Sequence, residues 1–154
     1  MFRRFEFEKD VYETLELVPM AVRRKLDLLG LKLHLKQWQS LSRPERLIVC
    51  HFPVGSAEEI DVLAAFLREA VMRRDGSELK EIAPAVSDAQ SKPARIPPDA
   101  EQLMCQFKLS EQTWHRLDPD EQFALARLAR SGVDKFVNAW REFESNRNPI
   151  GPVN

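Results

Sequence analysis

The chain of 154 residues contains only five glycines, and this scarcity argues against several kinds of active site. Phosphate-binding loops and the sharp turn that presents a nucleophilic serine both depend on glycine, which adopts their backbone conformations without strain. The sequence contains neither motif. A catalytic triad can be assembled from residues that are distant in sequence, but no pattern in this chain indicates catalysis. We therefore expect a protein that is not an enzyme.

Cysteine is also scarce. Cys50 and Cys105 are far apart and lie among apolar or aromatic residues, which is typical of reduced, buried thiols and not of a disulfide framework. His34, His51 and His115 lie at no metal-ligand spacing relative to these cysteines. We expect no metal site and no bound cofactor, and the reduced thiols favour a cytoplasmic location.

The chain lacks both an excess of one charge and a long apolar run. Its formal net charge of −1 creates no global field that would attract nucleic acid or anionic lipid, so charge-driven binding must come from local patches. No apolar stretch approaches the length of a bilayer span, and the N-terminus, MFRRFEFEKD, has acidic residues where a secretory signal is apolar. The composition is that of an ordinary soluble protein, and we expect one domain over residues 1–154.

The residues that are present form helical patterns with defined starts and stops. Pro19 opens an amphipathic stretch that Gly30 ends. Capping boxes, in which two side chains satisfy backbone donors at a helix start, are expected where a serine precedes a glutamate by three residues, at Ser42 and at Ser56. These signals predict helices at about 19–29, around Trp38, at 43–51, 57–75 and 99–106, around Trp114, from Asp118, and at 133–144.

Two further segments have different patterns. Residues 5–8 alternate Phe and Glu, which fits either a short extended segment or an anchor in a groove between helices. Residues 75–98 are rich in Pro, Ala, Ser and charge without a sustained period, which predicts a linker. The linker would separate a first helical unit at 19–74 from a second at 99–145, with a flexible tail at 146–154. The predicted fold is all-α, a single compact domain of about six to eight helices.

The two predicted units repeat one pattern. A single gapless shift superposes the stretch that contains Trp38 on the stretch that contains Trp114, and each copy consists of a helix, a Lys-Leu connector, a short Trp helix and a capped helix. We predict an internal duplication that produces two pseudo-symmetric units; chance reuse of a common core device is the alternative. The repetition favours core packing of both tryptophans over a role as partner anchors. The superposed pairs are Lys32 and Lys108, Leu33 and Leu109, Leu41 and Leu117, Ser42 and Asp118, and Glu45 and Glu121.

The two copies differ in charge. The stretch from Pro19 to Arg46 has seven basic residues against two acidic ones, whereas the equivalent stretch from Arg95 to Glu121 has three against six. This difference fits two solvated faces of opposite sign. It also fits a basic surface that docks an acidic partner or an anionic cofactor.

The first part of the chain, with FEFEKD, VPMAVRRKLDLLGLKLHLKQW and LSRPERL, resembles the nitrate reductase-associated protein family. The second half follows the family pattern at Trp114 with Leu117, in EQFAL and over residues 136–143. The resemblance implies a small bacterial protein that supports the assembly, maturation or activity of an assimilatory, molybdenum-cofactor nitrate reductase without reducing nitrate itself. It implies no catalytic motif. The first-half motif comprises Pro19, Met20, Arg23, Lys25, Leu26, Gly30, Lys32, Leu33, Trp38, Leu41, Glu45 and Arg46.

We therefore predict an accessory protein that binds nitrate reductase or its maturation machinery through Arg23, Lys25, Lys32 and Arg46. A small helical DNA-binding regulator is the alternative, based on the short helix before a capped helix and on the basic run at 23–25, although the near-neutral charge argues against nucleic acid. A third hypothesis, a small-molecule-binding protein or enzyme with a pocket between the halves, requires titratable groups that converge in a cleft. The sequence indicates no membrane partner and leaves the oligomeric state open.

Overall fold

The computed structural model describes residues 2–83 and 95–147 of the chain. Within these ranges the chain forms nine α-helices, one 3-10 helix and a two-stranded antiparallel sheet, so the predicted all-α class is confirmed. None of the described helices combines the length and the apolar composition that crossing a membrane requires. The chain divides into two compact units, Met1–Ser91 and Lys92–Asn154.

The first unit contains the 3-10 helix, five α-helices and both strands. They are the 3-10 helix (Glu6–Glu8), α1 (Lys9–Thr14), α2 (Met20–Leu29), β1 (Leu31–Lys32), α3 (Leu35–Ser40), α4 (Arg43–His51), α5 (Ala57–Asp75) and β2 (Lys80–Glu81). Helix α2 ends at Gly30, whose positive φ of 67° suits a residue without a Cβ. The core of this unit is built mainly from Val22, Leu26, Leu31, Trp38, Val49, Leu63, Leu67 and Val71.

The second unit is made of four helices. They are α6 (Pro98–Gln106), α7 (Glu111–Arg116), α8 (Pro119–Ser131) and α9 (Val133–Arg147). Helix α8 packs against both α6 and α9, so it forms the centre of the unit. On α9 the side chains of Phe136, Trp140 and Phe143 are buried, each at most 3% exposed.

The N-terminal segment is helical, so the extended interpretation of residues 5–8 is wrong for Glu6–Glu8, and α1 was not predicted. The Glu8 carboxylate explains why this segment folds onto α2. Its two oxygens accept hydrogen bonds from the backbone N of Met20 at 3.1 and 3.0 Å, and it also accepts one from the Tyr12 hydroxyl. Pro19, the N-cap of α2, has no side-chain acceptor. The Glu8 carboxylate, from another part of the chain, therefore accepts the backbone N–H of Met20 and places negative charge at the N-terminus of α2.

Three other local expectations are wrong. The Lys-Leu connector of the first copy begins with β1, which pairs with β2 inside the range predicted as a linker. Cys105 is exposed, whereas Cys50 is buried as expected. Within the described residues only half of the second capping box forms, because Ser56 accepts a hydrogen bond from the backbone N of Glu59 at 3.2 Å but the Glu59 side chain does not return it.

Helix α9 extends beyond the predicted end at residue 144 to Arg147, so the first two residues of the predicted tail are helical. The remainder of that tail, residues 148–154, lies outside the described residues, as do residues 84–94 of the predicted linker.

Candidate partner-binding surface

The same helical corner occurs in each unit. Trp38 and Trp114 are buried at 0% and 1% exposure, so their assignment to the core is confirmed. Leu41 and Leu117 end the two short helices with nearly identical backbone angles, φ −68° and ψ 147° against φ −66° and ψ 145°. Each leucine donates its backbone N–H to the preceding tryptophan carbonyl at 3.1 Å. The sequence repeat therefore corresponds to a repeat of backbone geometry.

A capping box starts the helix that follows each corner. In the first unit Ser42 accepts from the backbone N of Glu45 at 3.3 Å, and Glu45 accepts from the backbone N of Ser42 at 2.8 Å. In the second unit Asp118 and Glu121 exchange the equivalent bonds at 2.8 and 3.0 Å. The predicted box at Ser42 is confirmed, and the predicted capped helix of the second copy begins with an equivalent box at Asp118.

The two cap glutamates are also buried and ion-paired. Glu45 contacts Arg73 at 2.8 Å and Arg74 at 3.2 Å, and Glu121 accepts from Arg147 at 2.9 Å. In each unit the arginines lie in the last turn of the helix after the capped one. Each ion pair therefore joins the start of a capped helix to the end of the next helix.

These contacts keep both carboxylates ionised. Burial alone would raise the pKa of Glu45, but hydrogen bonds from the Ser42 N–H and from Arg73 outweigh burial and lower this pKa to about 2. Burial likewise opposes ionisation of Glu121, and the hydrogen bond from Arg147 outweighs it, so this pKa is also lowered. The glutamates have a structural role and are not free to accept a substrate proton at neutral pH.

Lys25, one of the four predicted contact residues, holds the end of a helix. Its Nζ donates to the carbonyl oxygens of Val49 at 3.1 Å, Cys50 at 2.6 Å and Phe52 at 2.6 Å. These carbonyls lie at the C-terminus of α4, where backbone acceptors lack helical partners and a positive charge is favourable. Lys25 is therefore a capping residue of α4.

Arg46 also donates to backbone carbonyls. Its guanidinium donates to the oxygens of Leu15 at 3.2 Å, Trp38 at 3.2 Å and Gln39 at 2.7 Å. Gln122, at the equivalent position of the second unit, donates to the carbonyl of Trp114 at 2.8 Å. The two side chains differ in charge but share one structural role.

Arg23 belongs to the same group, since its Nε donates to the Val18 carbonyl at 3.2 Å. Arg43, which was not among the predicted contacts, donates to the carbonyls of Glu13 and Thr14 at 3.2 and 3.1 Å. The positive charge of the first copy is thus used largely to hold helix ends together.

Lys32 is different. It is exposed on β1, and it lies directly opposite the exposed Lys80 of β2. Lys36, in the first turn of α3, is also exposed, and within the described parts of the chain none of these three side chains has an ion-pair or hydrogen-bond partner. We call the facing pair Lys32 and Lys80 the cationic edge. Like charges at directly opposite strand positions are destabilising, so the fold alone does not account for this arrangement.

Sequence reasoning missed Lys80 as a member of this surface. Its neighbours in sequence have no strand pattern, and its position opposite Lys32 depends on the pairing of β1 with β2. No local signal identifies it. In the sequence, Lys36 is one of the seven basic residues between Pro19 and Arg46, and no pattern distinguishes it from the others.

The described residues offer little catalytic chemistry. They contain no group of three or more His, Cys, Asp or Glu side chains that could hold a metal ion. Burial raises the pKa of the Cys50 thiol to about 11 despite the nearby Lys25 cation, so this thiol is protonated and unreactive at neutral pH. A surface cleft of about 350 Å³ beside the N-terminal segment is lined by Arg4, Phe5, Glu6, Lys9, Tyr12 and Glu13.

Tyr12 in this cleft is a structural residue. Burial and the hydrogen bond to Glu8 raise its pKa, so the hydroxyl stays protonated and donates to Glu8. It also accepts from the backbone N of Phe5 at 2.9 Å. The charged side chains that line the cleft are of both signs and do not define one ligand class.

Comparison with known proteins places these features in a family. No curated protein and no solved structure matches the chain. A family model described as conserved nitrate reductase-associated protein matches residues 4–143, a range that includes both helical corners, both cap glutamates and the whole cationic edge. The chain belongs to the conserved nitrate reductase-associated protein family.

Proposed function

We propose that this protein is a non-catalytic, cytoplasmic accessory protein that binds nitrate reductase or its maturation machinery and thereby supports assembly, maturation or activity of the enzyme. The family description supplies the association with nitrate reductase. The structural role of the buried carboxylates and of the Cys50 thiol supports a binding role over a catalytic one.

The observation that carries the proposal is the cationic edge. Lys32 and Lys80 face each other at opposite positions of β1 and β2, and no described acidic side chain neutralises them. An acidic surface on a partner would relieve this repulsion on binding. Within the proposal Lys32 contacts the partner directly, while Arg23, Lys25 and Arg46 hold the neighbouring helix ends and add positive charge.

The test is binding of the purified protein to nitrate reductase and to its maturation proteins across a range of salt concentrations. We expect the affinity of the wild type to fall as salt rises, since exposed charges are screened. The double variant Lys32→Glu/Lys80→Glu should bind at least tenfold more weakly, with an unchanged circular dichroism spectrum. Both positions are reversed because a single change would create an ion pair between the strands.

Lys135→Glu is the matched control, because Lys135 is an exposed lysine of α9 in the other unit. It should bind as the wild type does. Absence of wild-type binding to every one of these proteins, or full affinity of the double variant, would overturn the proposal.

The wild type and the double variant can also be used to test a DNA-binding role. Because Lys25, Arg43 and Arg46 direct their donors at backbone carbonyls, we expect no salt-sensitive DNA affinity in a filter-binding assay. Salt-sensitive DNA binding that disappears in the double variant would replace the accessory role with a regulatory one.

A further inference from the structure

The two faces of the small sheet differ in their surroundings. Lys32, Lys80 and Ile82, which follows β2 directly, share one face because side chains alternate along a strand. All three are exposed, Ile82 at 38%. On the other face Leu31 is buried in the core of the first unit, and the Glu81 carboxylate contacts an arginine of α5 at 2.8 Å. The cationic edge and Ile82 therefore form the solvent face of the sheet.

Strand β2 also has an open backbone edge. The backbone N of Ile82 donates to the carbonyl oxygen of Gly30 at 2.8 Å. Because only alternate residues of an antiparallel pair hydrogen-bond to the facing strand, the N–H and C=O of Glu81 point away from β1. Glu81 is exposed, and among the described residues none forms a backbone hydrogen bond with it. The edge of β2 thus offers one unpaired donor and one unpaired acceptor.

The outer edge of β1 is less accessible than that of β2. Leu31, the residue of β1 opposite Glu81, is only 1% exposed, whereas both residues of β2 are exposed. An exposed, unpaired strand edge is a template for the addition of a further strand. Strand addition to this sheet is therefore expected at β2.

We propose that an extended segment of the partner protein adds to the edge of β2 as a third strand, with an acidic residue beside Lys80 and an aliphatic residue beside Ile82. This inference rests on the proposed function, because it names the element of the partner that the cationic edge recognises. The backbone of Glu81 supplies the main-chain hydrogen bonds of this addition, and side chains at alternate positions supply its specificity.

The spacing of the side chains specifies the partner sequence. Lys80 and Ile82 are two residues apart on one face, and neighbouring strands set their side chains beside each other on that face. The acidic and the aliphatic residue of the partner segment are therefore also two positions apart. The acid relieves the repulsion between Lys80 and Lys32, and both lysines disfavour a segment with a basic residue at this position.

The variant Glu81→Pro tests the main-chain pairing. Proline lacks the N–H that Glu81 directs outward, and an edge strand tolerates it there, so the hydrogen bond from Ile82 to Gly30 is retained. We expect binding to nitrate reductase or to the maturation protein that the wild type recognises to weaken at least tenfold.

Glu81→Ala is the matched control for the proline variant. Both variants lose the ion pair with Arg68, whose two side chains are 51% and 76% exposed, and a surface pair of this kind contributes little to stability. Because Glu81→Ala keeps the backbone N–H, it should bind as the wild type does.

The variant Ile82→Asp tests the aliphatic position. An acid here would meet the aliphatic residue of the partner, so the affinity should fall at least tenfold. The thermal midpoint should stay close to that of the wild type, because the side chain is exposed. Val62→Asp is the control, since Val62 is an exposed apolar residue of α5, and it should leave the affinity unchanged.

A photo-crosslinking residue at Ile82 locates the partner segment. Crosslinks should fall in nitrate reductase or in a maturation protein, within a segment that has an acidic residue two positions from an aliphatic one. Replacing that acid by lysine should weaken binding to the wild type and strengthen binding to Lys32→Glu/Lys80→Glu. Crosslinks to a second copy of this chain, or to a helix of the partner, contradict the assignment.

Amide hydrogen exchange at Glu81 tests strand addition without any variant. In the complex the exchange of this N–H should slow at least tenfold, because it gains an acceptor. Unchanged exchange at Glu81 in the complex rules out strand addition, whatever Glu81→Pro does to the sheet.

The outcomes separate this inference from the proposed function. If the wild type binds while Glu81→Pro and Ile82→Asp bind equally well, strand addition is wrong and the accessory role stands. If the wild type binds neither nitrate reductase nor any maturation protein, the accessory role itself is wrong and the inference falls with it.

Discussion

Glu45 and Glu121 illustrate how this fold holds a charge in its interior. Each carboxylate accepts one hydrogen bond from a backbone N–H at the start of its own helix and another from an arginine near the end of the next helix. Burying a carboxylate without such partners would be costly. The capping half of each arrangement was predictable, because it depends on spacing alone. The arginine half was not, because it depends on where the following helix ends in space.

The first prediction concerns acid stability. The pKa of Glu45 is about 2 in the folded chain against an ordinary value of 4.5, so between these pH values the folded state binds fewer protons at this group than the unfolded state does. The contribution of Glu45 to the free energy of unfolding is therefore fully present above about pH 4.5 and is lost as the pH falls towards 2. Urea unfolding at a series of pH values should show this loss.

Glu45→Gln is the matched variant for this measurement. Because its amide cannot ionise, it should be less stable than the wild type at pH 7 and should lose less stability between pH 4.5 and 2. An unchanged pH profile in this variant would contradict the assignment.

At the scale of elements, the basic residues of the first unit act mainly as caps. Lys25 serves the C-terminus of α4, and Arg46 serves the C-terminus of α3 and the carbonyl that follows α1. Each cation joins two or more elements that are distant in the chain. The charge difference between the two copies is thus partly a difference in how helix ends are satisfied, and Gln122 does with a neutral amide part of what Arg46 does with a guanidinium.

The second prediction tests the capping role of Lys25. Lys25→Met keeps an aliphatic side chain of similar length but leaves the carbonyls of Val49, Cys50 and Phe52 without this donor. We expect a loss of roughly 2 kcal/mol in the free energy of unfolding, since hydrogen bonds from a charged group contribute about 1.5–3 kcal/mol.

Lys32→Met is the control for this measurement, because the Lys32 side chain faces Lys80 and stabilises no helix end. Its unfolding free energy should stay within about 0.5 kcal/mol of the wild type, as is usual for surface substitutions. Equal losses in the two variants would show that Lys25 does not act as a cap.

At the scale of the whole molecule, each of the two units has its own buried tryptophan, its own capping box and its own glutamate–arginine pair. The features that recur are those that build a helical corner. The cationic edge occurs in the first unit without an equivalent in the second, because Lys108 replaces Lys32 but lies outside a strand. Association with a partner therefore belongs to the first unit in our proposal.

The third prediction concerns how local the effect of one ion pair is. Glu121→Gln removes the charge that Arg147 neutralises inside the second unit, and breaking a buried pair costs on the order of 3 kcal/mol. Amide hydrogen exchange should accelerate over residues 98–147 and stay close to wild type over residues 20–75. Glu45→Gln should give the opposite pattern, and uniform acceleration in both variants would show that the two units unfold as one.

The sequence by itself determined the parts of this protein that depend on neighbours within a few residues. The start and stop of α2 at Pro19 and Gly30, the bounds of α4 and the capping boxes at Ser42 and Asp118 follow from backbone conformation and hydrogen bonds at short spacing. Only the tertiary structure decided which side chains are available to a partner. That outcome depends on contacts between distant segments, which no local pattern encodes: Glu8 reaches α2, Lys25 reaches the end of α4, and strand pairing sets Lys32 against Lys80.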